Sequence, residues 1–271
     1  MPYRRQGRTF LATGVRDNRS VRGRVGLIES IPFYVEGHRL WGTLHHPANA
    51  RPPCIIGLHG LEGEKDRGKW PVFADRFCEA GYAFLRFNFR GCGTGRERSE
   101  GQFEDTTLTG RIRDYKAALR VLGERGGVNG QRVGVVGSSF GGMVAVAAQN
   151  SKIRAMVALA TPLTLFRGGV PPPSHEDGRI RLPSGRRLKD SFVKDLHRHD
   201  LLKSVKTAPP LLILHGSNDG VAPVADAYAL YDAAAEPKHL EILAGSDHAF
   251  TRDRDLEKVI DLSLRWFKRY L

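Results

Sequence analysis

Read for the spacing of its apolar residues, the chain alternates between two rhythms. Short runs such as CIIGL (54–58) and RVGVVG (132–137) are apolar almost throughout, as strands buried on both faces are. By contrast, 107–122 places Leu108, Ile112, Tyr115, Leu119 and Leu122 at three- or four-residue steps, the stripe of a helix with one buried side. Strands are expected at 28–34, 39–46, 54–58, 82–89, 132–137, 155–160, 210–215 and 239–243. The first two are joined by Glu36-Gly37-His38, a hairpin signal. Helices are expected at 70–80, where Phe73 and Phe77 lie one turn apart, at 107–122, at 140–150, and in the last segment, where Leu256, Val259, Ile260, Leu264, Phe267 and Leu271 repeat the stripe. From Cys54 onward strands and helices alternate, which implies right-handed crossovers and a parallel sheet.

One segment breaks the alternation. Residues 163–207 separate two strands that need only a short crossover, and they hold Pro171, Pro172, Pro173, Pro183 and many charges. A segment of that length inside a compact domain reads as a functional cover or a mobile loop and not as core. The domain is therefore expected to span 29–271 with a lid at about 163–207, and 1–28 to form a basic extension. No internal repeat or second core is visible in the 271 residues.

Charge sharpens this division. The formal net charge is +13, and it is unevenly spread. Residues 1–24 hold seven arginines against Asp17, and 163–207 hold ten Lys and Arg against five Asp and Glu. The excess sits on two appendages and not along one groove that could follow a phosphate backbone, so nucleic acid is not the expected partner. The three cysteines, Cys54, Cys78 and Cys92, are too few and too far apart for a disulfide framework. With no apolar signal core at the start and no stretch long enough to span a bilayer, the expected location is cytoplasmic.

The chemistry concentrates where Gly137-Ser138-Ser139-Phe140-Gly141-Gly142 joins the apolar run 132–137 to the Ala- and Val-rich segment that follows. A G-x-S-x-G pentapeptide between a strand and a helix lifts its central residue, here Ser139, clear of the sheet on a sharp turn. A serine hydroxyl needs a base oriented by a carboxylate. Asp219 follows the strand at 210–215 and His248 follows the strand at 239–243, each on a loop, in the order Ser, Asp, His. Asp226 falls within the next helix, and Asp247 adjoins His248 in sequence, which turns its side chain away from the ring. His197 and His199 lie in the charged insertion and are expected at the surface, and His215 reads as a scaffold residue. The oxyanion needs donors: the backbone N–H of Phe140 is one, and the loop Leu58-His59-Gly60-Leu61 supplies the N–H of Leu61 as the other.

Taken together, LHGLEG, RFNFRGCGTG, GQFEDTTL, GSSFGG, HGSNDGVAP and GSDHAF resemble the α/β-hydrolase superfamily, and in particular small bacterial serine esterases of the cinnamoyl/feruloyl type. The resemblance covers about residues 29–271. It implies an α/β-hydrolase fold with an eight-stranded, mostly parallel sheet, helices on both faces and a lid insertion. It also implies a catalytic triad of Ser139, Asp219 and His248, a small-molecule ester as substrate, and no cofactor or metal. The GSSFGG form of the turn also resembles the hydrolase domain of prolyl-oligopeptidase-type peptidases, which leaves a peptidase, thioesterase or acyltransferase with the same three residues as the alternative, and a non-enzymatic binding protein of the hydrolase fold as a more distant one. The expected activity is that of a carboxylic-ester hydrolase acting through an acyl-enzyme. The positive insertion, through Arg186 and Arg187, would favour acidic substrates.

Overall fold

The computed structural model describes residues 26–166, the backbone of 175–176, and 179–271. The chain opens with the hairpin β1 (Leu27–Val35) and β2 (His38–His46) and continues through β3 (Pro53–Leu58), α1 (Trp70–Glu79), β4 (Ala83–Phe87) and α2 (Leu108–Arg125). Then come β5 (Asn129–Ser138), α3 (Phe140–Ala147) and β6 (Ile153–Leu159). The insertion carries three short strands, β7 (His175–Glu176), β8 (Arg179–Arg181) and β9 (Arg187–Lys189), and the short helices α4 (Ser191–Leu196) and α5 (Leu201–Ser204). The chain closes with β10 (Leu211–Gly216), α6 (Val224–Ala233), β11 (Lys238–Leu243) and α7 (Asp253–Tyr270).

The main sheet has eight strands in the order β1-β2-β4-β3-β5-β6-β10-β11. The hairpin pairs antiparallel, β2 joins β4 antiparallel, and all strands from β4 to β11 run parallel. This is the expected α/β-hydrolase fold. β1, at the edge, alternates along its second half with Ile31, Phe33 and Val35 turned inward, whereas β3, in the middle, is buried almost throughout because helices cover both of its faces. One face packs on α1 and α7, through Phe73, Phe77, Phe84, Trp266 and Phe267. The other packs on α2, α3 and α6 and extends into the insertion through Leu188, Phe192 and Leu196.

Element boundaries differ from the sequence reading where side chains, and not periodicity, decide them. The fourth strand was expected to reach residue 89, yet it ends at Phe87. Just past its end Asn88 keeps one backbone bond to the Trp41 carbonyl at 2.9 Å, while its side chain accepts from the Lys65 N–H at 2.8 Å and donates to the Glu97 carbonyl at 3.0 Å. The helix expected to run to residue 150 stops at Ala147, two residues before Gln149 takes φ 42°. At the other end of the chain, β1 begins at Leu27, one residue before the expected strand and within the 1–28 expected as the basic extension. Residues 1–25 of that extension lie outside the described residues.

The insertion is anchored beside α2. Asp195 of α4 accepts from the Thr109 N–H at 2.9 Å and hydroxyl at 2.7 Å, and His199 Nε2 lies 2.8 Å from the same hydroxyl. His199 is thus half-buried in a hydrogen-bonded corner, contrary to the expected surface position, while His197 is exposed. Among the described residues, no helix is long and apolar enough to cross a membrane.

Candidate active site

β5 delivers Ser139 to the rim of the sheet. Its backbone sits at φ 55°, ψ −121°, a region that a non-glycine residue enters only under strain, and its N–H is held by the Leu159 carbonyl at 2.8 Å. The turn is possible because α3 starts almost against β3. A Cβ on Gly141 would stand 2.1 Å from the Leu58 carbonyl oxygen, so no larger residue fits without moving a strand.

Asp219 and His248 come from neighbouring loops after β10 and β11, and these loops are laced together. Asn218 N–H donates to the Ser246 carbonyl at 2.9 Å and Gly245 N–H to the Ser217 hydroxyl at 2.7 Å. Gly216 is the point of closest approach, where a Cβ would meet the Ser246 carbonyl oxygen at 2.2 Å. The result is a bond of 2.7 Å between His248 Nδ1 and Asp219 Oδ2. Burial works against ionisation of Asp219. Hydrogen bonds from His215, His248 and the N–H groups of Ala222 and Val221 outweigh it and hold the carboxyl well below the usual carboxylate range. As an anion, Asp219 requires Nδ1 of His248 to carry the proton and leaves Nε2 free to accept one.

His215, read as a scaffold residue, serves this carboxylate directly: its fully buried ring places Nε2 3.2 Å from Asp219 Oδ2 and 2.9 Å from the Ala222 carbonyl. Asp247 instead turns away to the Thr251 N–H at 2.9 Å, and Asp226 accepts from the Leu163 N–H at 2.9 Å. Among the described residues, no hydrogen bond joins Ser139 Oγ to His248, although both line the same cavity of about 1280 Å³.

The loop after β3 closes the other side. Gly60 lies against the turn, where a Cβ would be 3.9 Å from Ser139 Oγ. A bond from Gly63 N–H to the Gly60 carbonyl at 3.2 Å makes 60–63 a tight turn that leaves the Leu61 N–H, at its second position, without use inside it. The Phe140 N–H belongs to the first residue of α3 and so has no acceptor within the helix.

Sequence reasoning missed what holds this loop. The buried guanidinium of Arg111, from α2, donates to the Gly60 carbonyl at 2.9 Å and the Leu61 carbonyl at 2.6 Å, while stacking over the rings of Phe89 and Phe140. His59 adds a second restraint. Its Nδ1–H donates to the Gly60 carbonyl at 2.8 Å and its Nε2 accepts from the Phe89 N–H at 3.3 Å. Burial, reinforced by the charge of Arg111, pulls its pKa down to about 3 and keeps the ring neutral. The only sequence signal for Arg111 is an arginine one step from the apolar stripe of its helix, which ordinarily marks a solvated edge.

The floor and walls of the cavity include Lys69, Trp70, Ser138 and Val221, with Leu165, Phe166, Leu182 and Pro183 from the insertion. Arg186 and Arg187, expected to give the pocket its charge, do not line it. Arg186 stacks on the Phe103 ring, and among the described residues of the insertion Arg181 is the cation that lines the cavity. Among the described residues, no group of three His, Cys, Asp or Glu side chains is placed to hold a metal ion.

A sequence profile described as the prolyl oligopeptidase family matches residues 73–271. The protein YfhR of Escherichia coli O157:H7, itself uncharacterised, is 29% identical over 232 residues, which cover 81% of this chain and 73% of that protein. Est1E from Butyrivibrio proteoclasticus, solved with ferulic acid bound, superimposes with a TM-score of 0.76 at 21% identity over 88% of this chain and 99% of that one. The esterase domain of a Rhodothermus marinus protein does so with a TM-score of 0.70 at 24% identity over 90% and 99%. Identities this low speak to the shared fold.

Proposed function

Since the chain belongs to the prolyl oligopeptidase family, we propose that it is a serine hydrolase of carboxylic esters that works through an acyl-enzyme formed on Ser139. The observation that carries the reading is the 2.7 Å bond between Asp219 and His248, on a cavity whose wall also presents the strained Ser139. In this reading His248 Nε2 takes the Ser139 proton as Oγ attacks the ester carbonyl. Asp219 fixes the tautomer and stabilises the imidazolium. The carbonyl oxygen, now an anion, is bound by the N–H groups of Leu61 and Phe140, each such donor contributing about 3 kcal/mol. His248 returns the proton to the departing alkoxide. Water then enters, gives its proton to His248, and attacks the acyl-enzyme. The acid leaves with the Oγ–acyl bond broken and Ser139 reprotonated. The insertion acts as the lid that shapes the acyl pocket, with Leu165, Phe166 and Leu182 as its apolar surface.

The family match favours a second reading, cleavage of peptide or acylaminoacyl bonds by the same three residues. A panel of p-nitrophenyl acyl esters, hydroxycinnamate esters, acyl thioesters and aminoacyl anilides separates the two. Esters are expected to turn over fastest in the wild type. Ser139→Ala should lower kcat by about 10⁴-fold or more, whereas Ser138→Ala should be far milder. Ester turnover that survives in Ser139→Ala excludes the mechanism, and preferential anilide cleavage establishes the peptidase.

A further inference from the structure

The cavity beside Ser139 contains a cation that the acyl-transfer steps do not use. Lys69 lines its wall, and its Nζ donates to the Ser138 hydroxyl at 3.1 Å, one residue from the proposed nucleophile. On its other side the ammonium lies 5.8 Å from the centre of the Phe250 ring. Among the described residues, no carboxylate comes within ion-pair distance of it. The acids nearby are all engaged elsewhere: Glu64 with Arg67, Asp66 with Lys65 and Arg86, Glu62 with Ser184, and Asp247 with Thr251. An ammonium has three protons to donate, and among the described residues two of them have no acceptor.

Local structure gives no reason for a lysine here. Residue 69 caps α1, a position that favours Ser, Thr, Asp or Asn, and no acidic residue follows in the first turn. The positive end of the helix dipole and the ammonium therefore repel each other. Loss of water around Nζ pulls the Lys69 pKa down to about 8, with Asp247 opposing. The cost falls on folding, and the return is a desolvated positive charge facing the cavity.

We propose that Lys69 is an anion-recognising residue, and that the esters this protein takes carry a carboxylate on the leaving group, a few bonds from the scissile oxygen. This rests on the acyl-transfer reading of the same site. Adjacent Cα atoms are about 3.8 Å apart, so a group bound to Nζ beside Ser138 is within a small substrate's length of Ser139 Oγ. The leaving-group side follows from Phe250. Lys69 packs against the segment that carries His248, the group that hands a proton to the departing oxygen.

The test compares 4-acetoxybenzoate and 3-acetoxybenzoate, which carry the carboxylate on the departing phenol, with neutral phenyl acetate and with mono-4-nitrophenyl succinate, which carries it on the acyl group. In Lys69→Met, kcat/KM for the acetoxybenzoates relative to phenyl acetate is expected to fall about 10-fold, mainly through KM, as for loss of a charge-assisted hydrogen bond. Lys69→Arg should restore most of it. An equal fall for all four esters, or a fall confined to the succinate, overturns the proposal. Calorimetric binding of 4-hydroxybenzoate to Ser139→Ala, with and without Lys69→Met, asks the same question without turnover. Binding that does not depend on Lys69 overturns the anion site whatever becomes of the mechanism. Conversely, ester hydrolysis persisting in Ser139→Ala removes the acyl-transfer reading and leaves the binding result to stand or fall alone.

Discussion

His59 illustrates how one buried side chain ties stability to pH. In the folded protein its ring is neutral, with a pKa near 3, whereas an unfolded histidine titrates near 6.5. Between those values the unfolded chain binds a proton that the folded chain refuses, so its contribution is complete above about pH 6.5 and is lost as pH falls through the window, at about 1.4 kcal/mol per pH unit. Urea unfolding at a series of pH values from 4 to 8 should therefore show a slope for the wild type that exceeds that of His59→Asn by nearly one proton. His45 and His46, whose pKa values burial also lowers, maintain a smaller slope in the variant. Identical slopes would mean that His59 titrates normally. At this scale Ser139, Asp219 and His248 were legible because each follows a recognisable strand in a required order. Arg111 and Lys69 were not, because what distinguishes them is a partner, or the lack of one, fifty or more residues away in the chain.

At the scale of elements, the junction of β3, β5 and α3 is governed by contact distance. Gly141→Ala puts a methyl group into the Leu58 carbonyl, and the strand it displaces ends at the His59-Gly60 loop. Overpacking of that kind costs about 1–3 kcal/mol, and calorimetry should show it together with a loss of ester turnover. Gly123 of α2 is the control, because a Cβ there meets nothing within 4 Å. Gly123→Ala should raise stability by about 0.5–1 kcal/mol and leave turnover intact. The strands and helices themselves were largely visible as periodicity, since burial on one or both faces writes itself into the apolar pattern. Their ends were less so. The side chain of Asn88, just past β4, is taken up by Lys65 and Glu97, and Thr107 starts α2 by accepting from the Gly110 N–H at 2.9 Å. The two short β-strands 179–181 and 187–189 had no signal, being three residues each and rich in arginine.

For the whole molecule, the sheet separates a near face, where the insertion closes over the site, from a far face under α1 and α7, which meets the site at the start of α1 through Lys69 and Trp70. Phe77, stacked on Phe73 and edge-on to Phe267, belongs to the far face. Phe192 belongs to the near one, fully buried between Phe140 at 5.5 Å and Phe166 at 5.8 Å, where the insertion meets the first residue of α3. Truncating either to alanine should cost about 3–5 kcal/mol. Phe77→Ala is expected to lower the melting temperature without altering KM, while Phe192→Ala should alter both. A change in KM on truncating Phe77 would show that the loss is passed along α1, through Phe73, to Trp70 in the cavity wall. The positive backbone angle of Ser139 has a consequence for this global balance. Glycine adopts that angle without strain, so a population of variants sorted by heat resistance alone would drift towards glycine at 139, each winner sturdier than its parent and chemically mute.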